Sequence, residues 1–186
     1  TDIVPSVHSL LPNPDLNYAL IKREKQPNRD IEIIKVNLGL AIKSPRSQDN
    51  VRLKPRDSLW VFDVSEKRTG VVNSINSQLK FQAKQGVYPS TAIVKGNVYI
   101  PGEYPIYKGM TIGGLLEAAR SYKPETDARA VLVHKAPITG KTSVEFISLN
   151  QGDMGKVIAP KDELIIFDLV GNRAEKLQFI IARLQQ

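Results

Sequence analysis

The 186-residue chain contains no cysteine, only two histidines and a single tryptophan. Without cysteine there are no disulfides, no thiolate nucleophiles and none of the usual cysteine-ligated zinc sites. That absence fits any compartment. The histidines, His8 and His134, stand far apart with no further ligands beside them in the sequence, so no metal set and no cofactor site is expected. His134 ends an apolar strand and reads as a satisfied histidine at the core edge. Aromatic residues make up 6% of the chain, few for stacking on sugars or bases. Apolar runs such as Leu164 to Phe167 fall far short of the ~20 residues that span a bilayer, so this segment is expected to cross no membrane. The N-terminus TDIVPSVHSLLPNPD has neither a basic n-region nor an apolar h-region, so no signal peptide is read there. The first residue is Thr, and the expectation is a processed product or a piece of a longer protein.

What is present is ordinary for a globular chain: 41% hydrophobic and 24% charged residues. The length suits one medium domain or two small ones. The net charge of +7 is unevenly spread. Residues 1–86 hold 14 basic and 9 acidic side chains, and residues 87–186 hold 12 and 10. Such a surplus favours an anionic partner or is simply a solvated surface.

The most strongly punctuated stretch is Val94 to Ala119, VKGNVYIPGEYPIYKGMTIGGLLEAA. It predicts a strand from Thr91 to Ile100, a type II turn at Pro101-Gly102, a return strand from Glu103 to Tyr107 and a helix from Thr111 to Ala119. Thr111 is placed to cap that helix, with Met110 and Leu115 at hydrophobic-staple spacing. Further strands are expected at Ala130–His134, Val144–Leu149 and Leu164–Asp168, with Ile138 to Lys141 turning between the first two. The Val71–Lys84 and Asn172–Gln185 segments have the apolar stripes of amphipathic helices, the second capped by Asn172. Each of these helices covers a sheet, links modules or receives a helix from another chain.

The two halves repeat one another. Asp15 opens DLNYALIKRE and Asp127 opens DARAVLVHKA; Ile31 opens IEIIKVNLG and Val144 opens VEFISLNQG. Pro55, Asp57, Leu59, Phe62 and Asp63 recur in order as Pro160, Asp162, Leu164, Phe167 and Asp168. Arg68, Val72, Ile75 and Leu79 match Arg173, Leu177, Ile180 and Leu184. The first copy has no room before Asp15 for the hairpin and helix that precede Asp127. Its sheet is therefore expected to have an open edge and an uncovered apolar face, filled by another chain or a flanking helix.

These residues resemble the soluble-ligand-binding β-grasp (SLBB) domain of bacterial outer-membrane polysaccharide export proteins. The resemblance rests on Gly96, Pro101-Gly102, Gly109-Met-Thr-Ile with Leu115-Leu116, and Pro160-Lys-Asp162. It covers Val87 to Val170 well and Leu10 to Asp63 in part. The family's amino-terminal export-signature domain, lipidation cysteine and carboxy-terminal membrane helix are not visible in this sequence. The fold expected is α+β, with tandem β-grasp-like modules, small mixed sheets each covered by a helix, and an incomplete first module. Residues 1–86 form the partial repeat with a connecting helix, and 87–186 the complete repeat with a C-terminal helix. The resemblance implies a non-enzymatic periplasmic segment, associated with the outer membrane in the full-length protein. Such a segment assembles with copies of itself or other modules of an export complex for capsule, exopolysaccharide or biofilm polymer. The alternative is a monomeric periplasmic module that binds a glycan or small ligand.

Several residues invite a chemical role. Asp57 with Asp63, and Asp162 with Glu163 and Asp168, offer carboxylates, yet both sets sit at equivalent strand edges, as a shared turn would place them. No catalytic residue is assigned. Gly113-Gly114 could present bare N–H groups to an anion, or merely let the helix approach the sheet. Lys43, Arg46, Arg52, Lys54 and Arg56 form the best candidate patch for an acidic glycan or a neighbouring subunit's carboxylates. Nucleic acid is not expected, because few aromatics interleave with the cations. Tyr99, Tyr104 and Tyr107 cluster on the hairpin.

Overall fold

In a computed structural model, residues 3–64, 68–136, 139–150, 152–169 and 173–185 are described. The protein is α+β and divides into two compact units, Thr1–Gln82 and Ala83–Gln186.

The first unit comprises β1 (Pro14–Lys25), β2 (Asp30–Val36), α1 (Leu38–Lys43), β3 (Ser58–Asp63) and α2 (Thr69–Gln82). Its sheet has the order β2-β1-β3 and is antiparallel throughout. Tyr18, Ala19, Leu20 and Ile21 are all buried in succession, so the central strand has apolar cover on both faces. On α2, Val72, Ile75, Asn76 and Leu79 are buried, the spacing of a single helical stripe. Gln82 fastens the helix end to β2 by donating to the Ile31 carbonyl at 2.8 Å and accepting from its N–H at 2.7 Å. Arg68 is 3% exposed, paired with Asp15 at 2.7 Å and stacked over Tyr18 and Phe62.

The second unit runs β4 (Thr91–Gly96), β5 (Gly102–Pro105), α3 (Ile112–Ala118), β6 (Thr126–Lys135), β7 (Thr142–Ser148), β8 (Glu163–Asp168) and α4 (Arg173–Leu184). Its mixed sheet has the order β5-β4-β8-β6-β7, with β4 parallel to β8 and the other neighbours antiparallel. Val131, Val133, Ile165, Phe167 and Ile180 form the core on the α4 side. Ile112, Leu115 and Leu116 of α3 are buried as well. Of the expected α4 stripe, Leu177 is half-buried, while Ile181 and Leu184 are exposed. The cap assigned to Asn172, the start of the turn at Ile138 and the Arg173 side chain lie outside the described residues.

The front of the second unit departs from expectation in one place. The first strand is six residues long and stops at Gly96, where φ is +89°. The chain then loops through Asn97 to Pro101, tied down by Tyr99 N–H to Ser121 O and Ile100 N–H to Ala119 O. Gly102 is not at positive φ; it pairs with Val94 as the first residue of β5. The type II turn at Pro101-Gly102 is therefore corrected. Gly96 takes the left-handed conformation, and Pro101 leads into the return strand.

The repeat is present as geometry. Val64 donates to Asn13 O at 2.9 Å as Leu169 donates to Glu125 O at 2.8 Å, and both acceptor residues have positive φ. Ala19 opposes Val61 and Val36, as Ala130 opposes Ile166 and Ile147. The register corrects the sequence alignment. The β1 bulge between Pro14 and Ala19 holds one residue more than that between Thr126 and Ala130. The β2–β7 match shifts by two, making Asn37 the counterpart of Ser148. Each of these donates its N–H to an aspartate, Asp49 or Asp153, at 2.8 Å.

Candidate functional site

The cationic segment joins α1 to β3. Lys43, Arg46, Arg52, Lys54 and Arg56 are all exposed. Arg56 lies 3.7 Å from Glu24, a surface pair worth little. The cation that organises this region is one sequence reasoning missed. Arg23 projects from β1, donates to both Asp57 carboxylate oxygens at 2.6–3.2 Å and reaches Arg52 O at 3.0 Å. The Asp57 side chain is 1% exposed. Its hydrogen bonds from Arg23, and then from the Lys54 N–H, hold its carboxyl below the usual range. Beside this segment is a groove of about 500 Å³. Ile21, Val36, Leu38 and Leu59 give it an apolar floor, and Asp49, Asn50 and Arg52 give it a polar rim.

Asp162 occupies the same place in the second unit. Asp57 accepts the Lys54 N–H at 2.8 Å, and Asp162 accepts the Ala159 N–H at 2.8 Å. Between these partners come Pro55-Arg56 and Pro160-Lys161, with Arg56 and Lys161 both at φ 69°. Where Asp57 binds Arg23, Asp162 meets His134 Nδ1 at 2.6 Å. Each aspartate thus closes a turn and clamps it to the neighbouring strand. His134, Asp162 and Ser143 also line a hollow of about 300 Å³, with Ser143 opposite His134 across β6–β7. That triad of residue types invites a nucleophilic reading. The counterparts Arg23, Asp57 and Glu32 hold the same places without a hydroxyl nucleophile or an imidazole base. The repeated carboxylate therefore has a sufficient role in turn closure. Glu163 pairs with Lys95 of β4 at 2.7 Å. Among the described residues, no group of three or more His, Cys, Asp and Glu side chains could hold a metal.

Of the two readings of Gly113-Gly114, close approach of the helix is the one this geometry favours. Thr111 caps α3 as expected, and its hydroxyl already accepts the Gly114 N–H at 3.3 Å. Gly114 is buried, and a Cβ there would stand 2.1 Å from Tyr107 Oη. A Cβ on Gly113 would come 3.3 Å from Met154 O. Both glycines serve close approach. Burial against this helix, helped by Glu117, pushes the Tyr107 hydroxyl up to about 12. Tyr104 is buried and donates to Ile100 O at 2.6 Å, whereas Tyr99 is exposed beside Arg120. His8 lies exposed in a short 3-10 turn.

Among the described residues, no helix is long and apolar enough to cross a membrane. No family model matches the chain, and no curated protein matches it.

Proposed function

We propose that this chain is a non-enzymatic segment of a periplasmic polysaccharide export protein, working by module-to-module assembly with possible contact to the polymer. The observation that carries the reading is the duplication itself. One strand-and-turn unit is built twice around Asp57 and Asp162, with the same clamp and a changed basic partner. Repetition of a scaffold element suits assembly; a catalytic site would need its chemistry kept in one positioned set. The exposed cations at 43–56 suit an acidic glycan or a neighbouring subunit's carboxylates. The resemblance to export-protein SLBB domains supplies the compartment and the class of polymer.

Mass in solution, measured together with binding to acidic and neutral polysaccharides, tests the reading. Concentration-dependent association is the expected result. A strict monomer with tight sugar affinity would replace assembly with the binding-module alternative, for which the groove beside Arg52 is the place.

A further inference from the structure

The two units carry the same three strands in the same register and differ beside the third. In the second unit β8 is flanked by β4, which runs parallel to it. In the first, β3 ends the sheet among the described residues. The difference shows in burial. Leu164 and Ile166 are 0% exposed, while their counterparts Leu59 and Val61 are only half-buried; Ile158 is 3% exposed and its counterpart Leu53 half-buried. The groove of about 500 Å³ opens on this face, and among the described residues Ile3 and Val4 also line it.

We propose that the β3 edge and its groove form a docking site for a strand–hairpin–helix polypeptide segment that residues 1–186 do not supply. Its first strand adds parallel to β3, and its short apolar helix fills the groove, as β4, β5 and α3 do in the second unit. That unit supplies the chemistry of the fit. Asp162 O and Ile166 O accept from Ile93 and Asn97 at 2.8 and 2.9 Å, and Lys161 N–H donates to Thr91 O at 2.8 Å. The equivalent groups on the open side are Asp57 O, Val61 O and Arg56 N–H. An edge of six residues presents polar groups at a strand's spacing, about 3.3 Å per residue, which an extended polypeptide matches and a compact ligand does not. The donor needs glycine opposite Val61, because a Cβ at Gly96 would stand 1.9 Å from Ile166 O. It needs no counterpart of Lys95, since Ser58 stands where Glu163 holds that lysine. Acidic residues on the donor helix would suit Arg52 on the groove rim. A second copy's own β4–β5–α3 is a poor donor: it is engaged with β8, so exchange uncovers one edge for each it covers.

The inference rests on the chain being an assembling module and not on the polymer exported. The probe is the protein's own segment 87–122, attached through a flexible Gly/Ser linker ahead of Ile3. Backbone hydrogen exchange is then compared with that of the unextended chain, and the second unit's amides report that the fold is intact. The expected result is at least about tenfold slower exchange at Leu59 and Val61. Copies of the added segment carrying Gly96→Val or Leu115→Asp should lose that protection. Unchanged β3 exchange with the native segment overturns the proposal, as does equal protection by the Gly96→Val copy. A dimer of the unextended chain with β3 already protected also overturns it, in favour of a second copy. Since no glycan is present, failure here leaves the polysaccharide reading to its own test.

Discussion

The two units solve the same sheet with different surroundings, and the difference separates what the repeated residues do from what covers them. The clamp at Asp57 and Asp162 keeps its hydrogen bonds in both, so it depends on the turn and the adjoining strand alone. Burial of β3 and β8 diverges, because it depends on a neighbour that the first sheet lacks among the described residues. Even the basic partner follows local context. Arg23 is 11% exposed and makes a forked contact, whereas His134 is 41% exposed and makes one bond. A turn is specified locally, and a covered face is specified by whatever stands over it.

The sharpest way to break this comparison is Gly96→Val. The left-handed φ costs about 1–2 kcal/mol for a side chain, and the clash is with backbone, which cannot turn aside. The second unit should lose at least about 4 kcal/mol in denaturant unfolding, and the first, with no such strand, should be unaffected. Loss of both together would show that the units do not unfold separately.

Next comes the clamp. Arg23→Ala leaves a buried carboxylate without its cation and should cost about 3 kcal/mol; His134→Ala, at the more exposed pair, about 1 kcal/mol. Asp57 has a lowered pKa in the folded state, so its contribution is complete above the ordinary value of 3.8 and disappears as pH falls through the folded value. Acid titration of stability should therefore be flatter below that value in the Arg23→Ala protein.

Leucine truncation gives a smaller contrast. Leu164→Ala, at a fully covered site, should cost about 3 kcal/mol, and Leu59→Ala, half-buried, about 1.5 kcal/mol. Equal losses would mean that Leu59 is covered as completely in solution as Leu164. The smallest effect is at the cap: Thr111→Ala should remove about 1 kcal/mol, seen as a lower thermal midpoint of the second unit alone.

Much of this architecture is legible in the sequence. The Pro-x-Asp turns, the strand beginning near Leu164, the Thr111 cap and the α2 stripe all have local causes and fall where residue chemistry puts them. Four features were hidden for physical reasons. Gly96 and Gly102 both permit positive φ, and only the parallel approach of β8 decides which one uses it. The extra residue in the β1 bulge shifts the alignment without disturbing the apolar pattern, because both faces of that strand are buried. Arg23 lies in a run of mixed charge, LIKREK, that reads as solvated surface, and nothing nearby in sequence announces Asp57 as its partner. For Gly113-Gly114, the helix start was visible, but Tyr107 packed over it was not.

Arg56 and Lys161 hold matching left-handed positions in the two turns, a conformation that asparagine or glycine would adopt at lower cost. Each turn thus has a reserve of stability that a single replacement could release, about 1 kcal/mol. Lys161 spends its side chain over the Tyr88 ring, 5.0 Å from the centroid, and Arg56 reaches towards Glu24. For anyone hardening this protein against heat, these two loops are the first places to edit: Arg56 gives up the weaker contact, and Lys161 lies outside the cationic segment proposed to meet a partner.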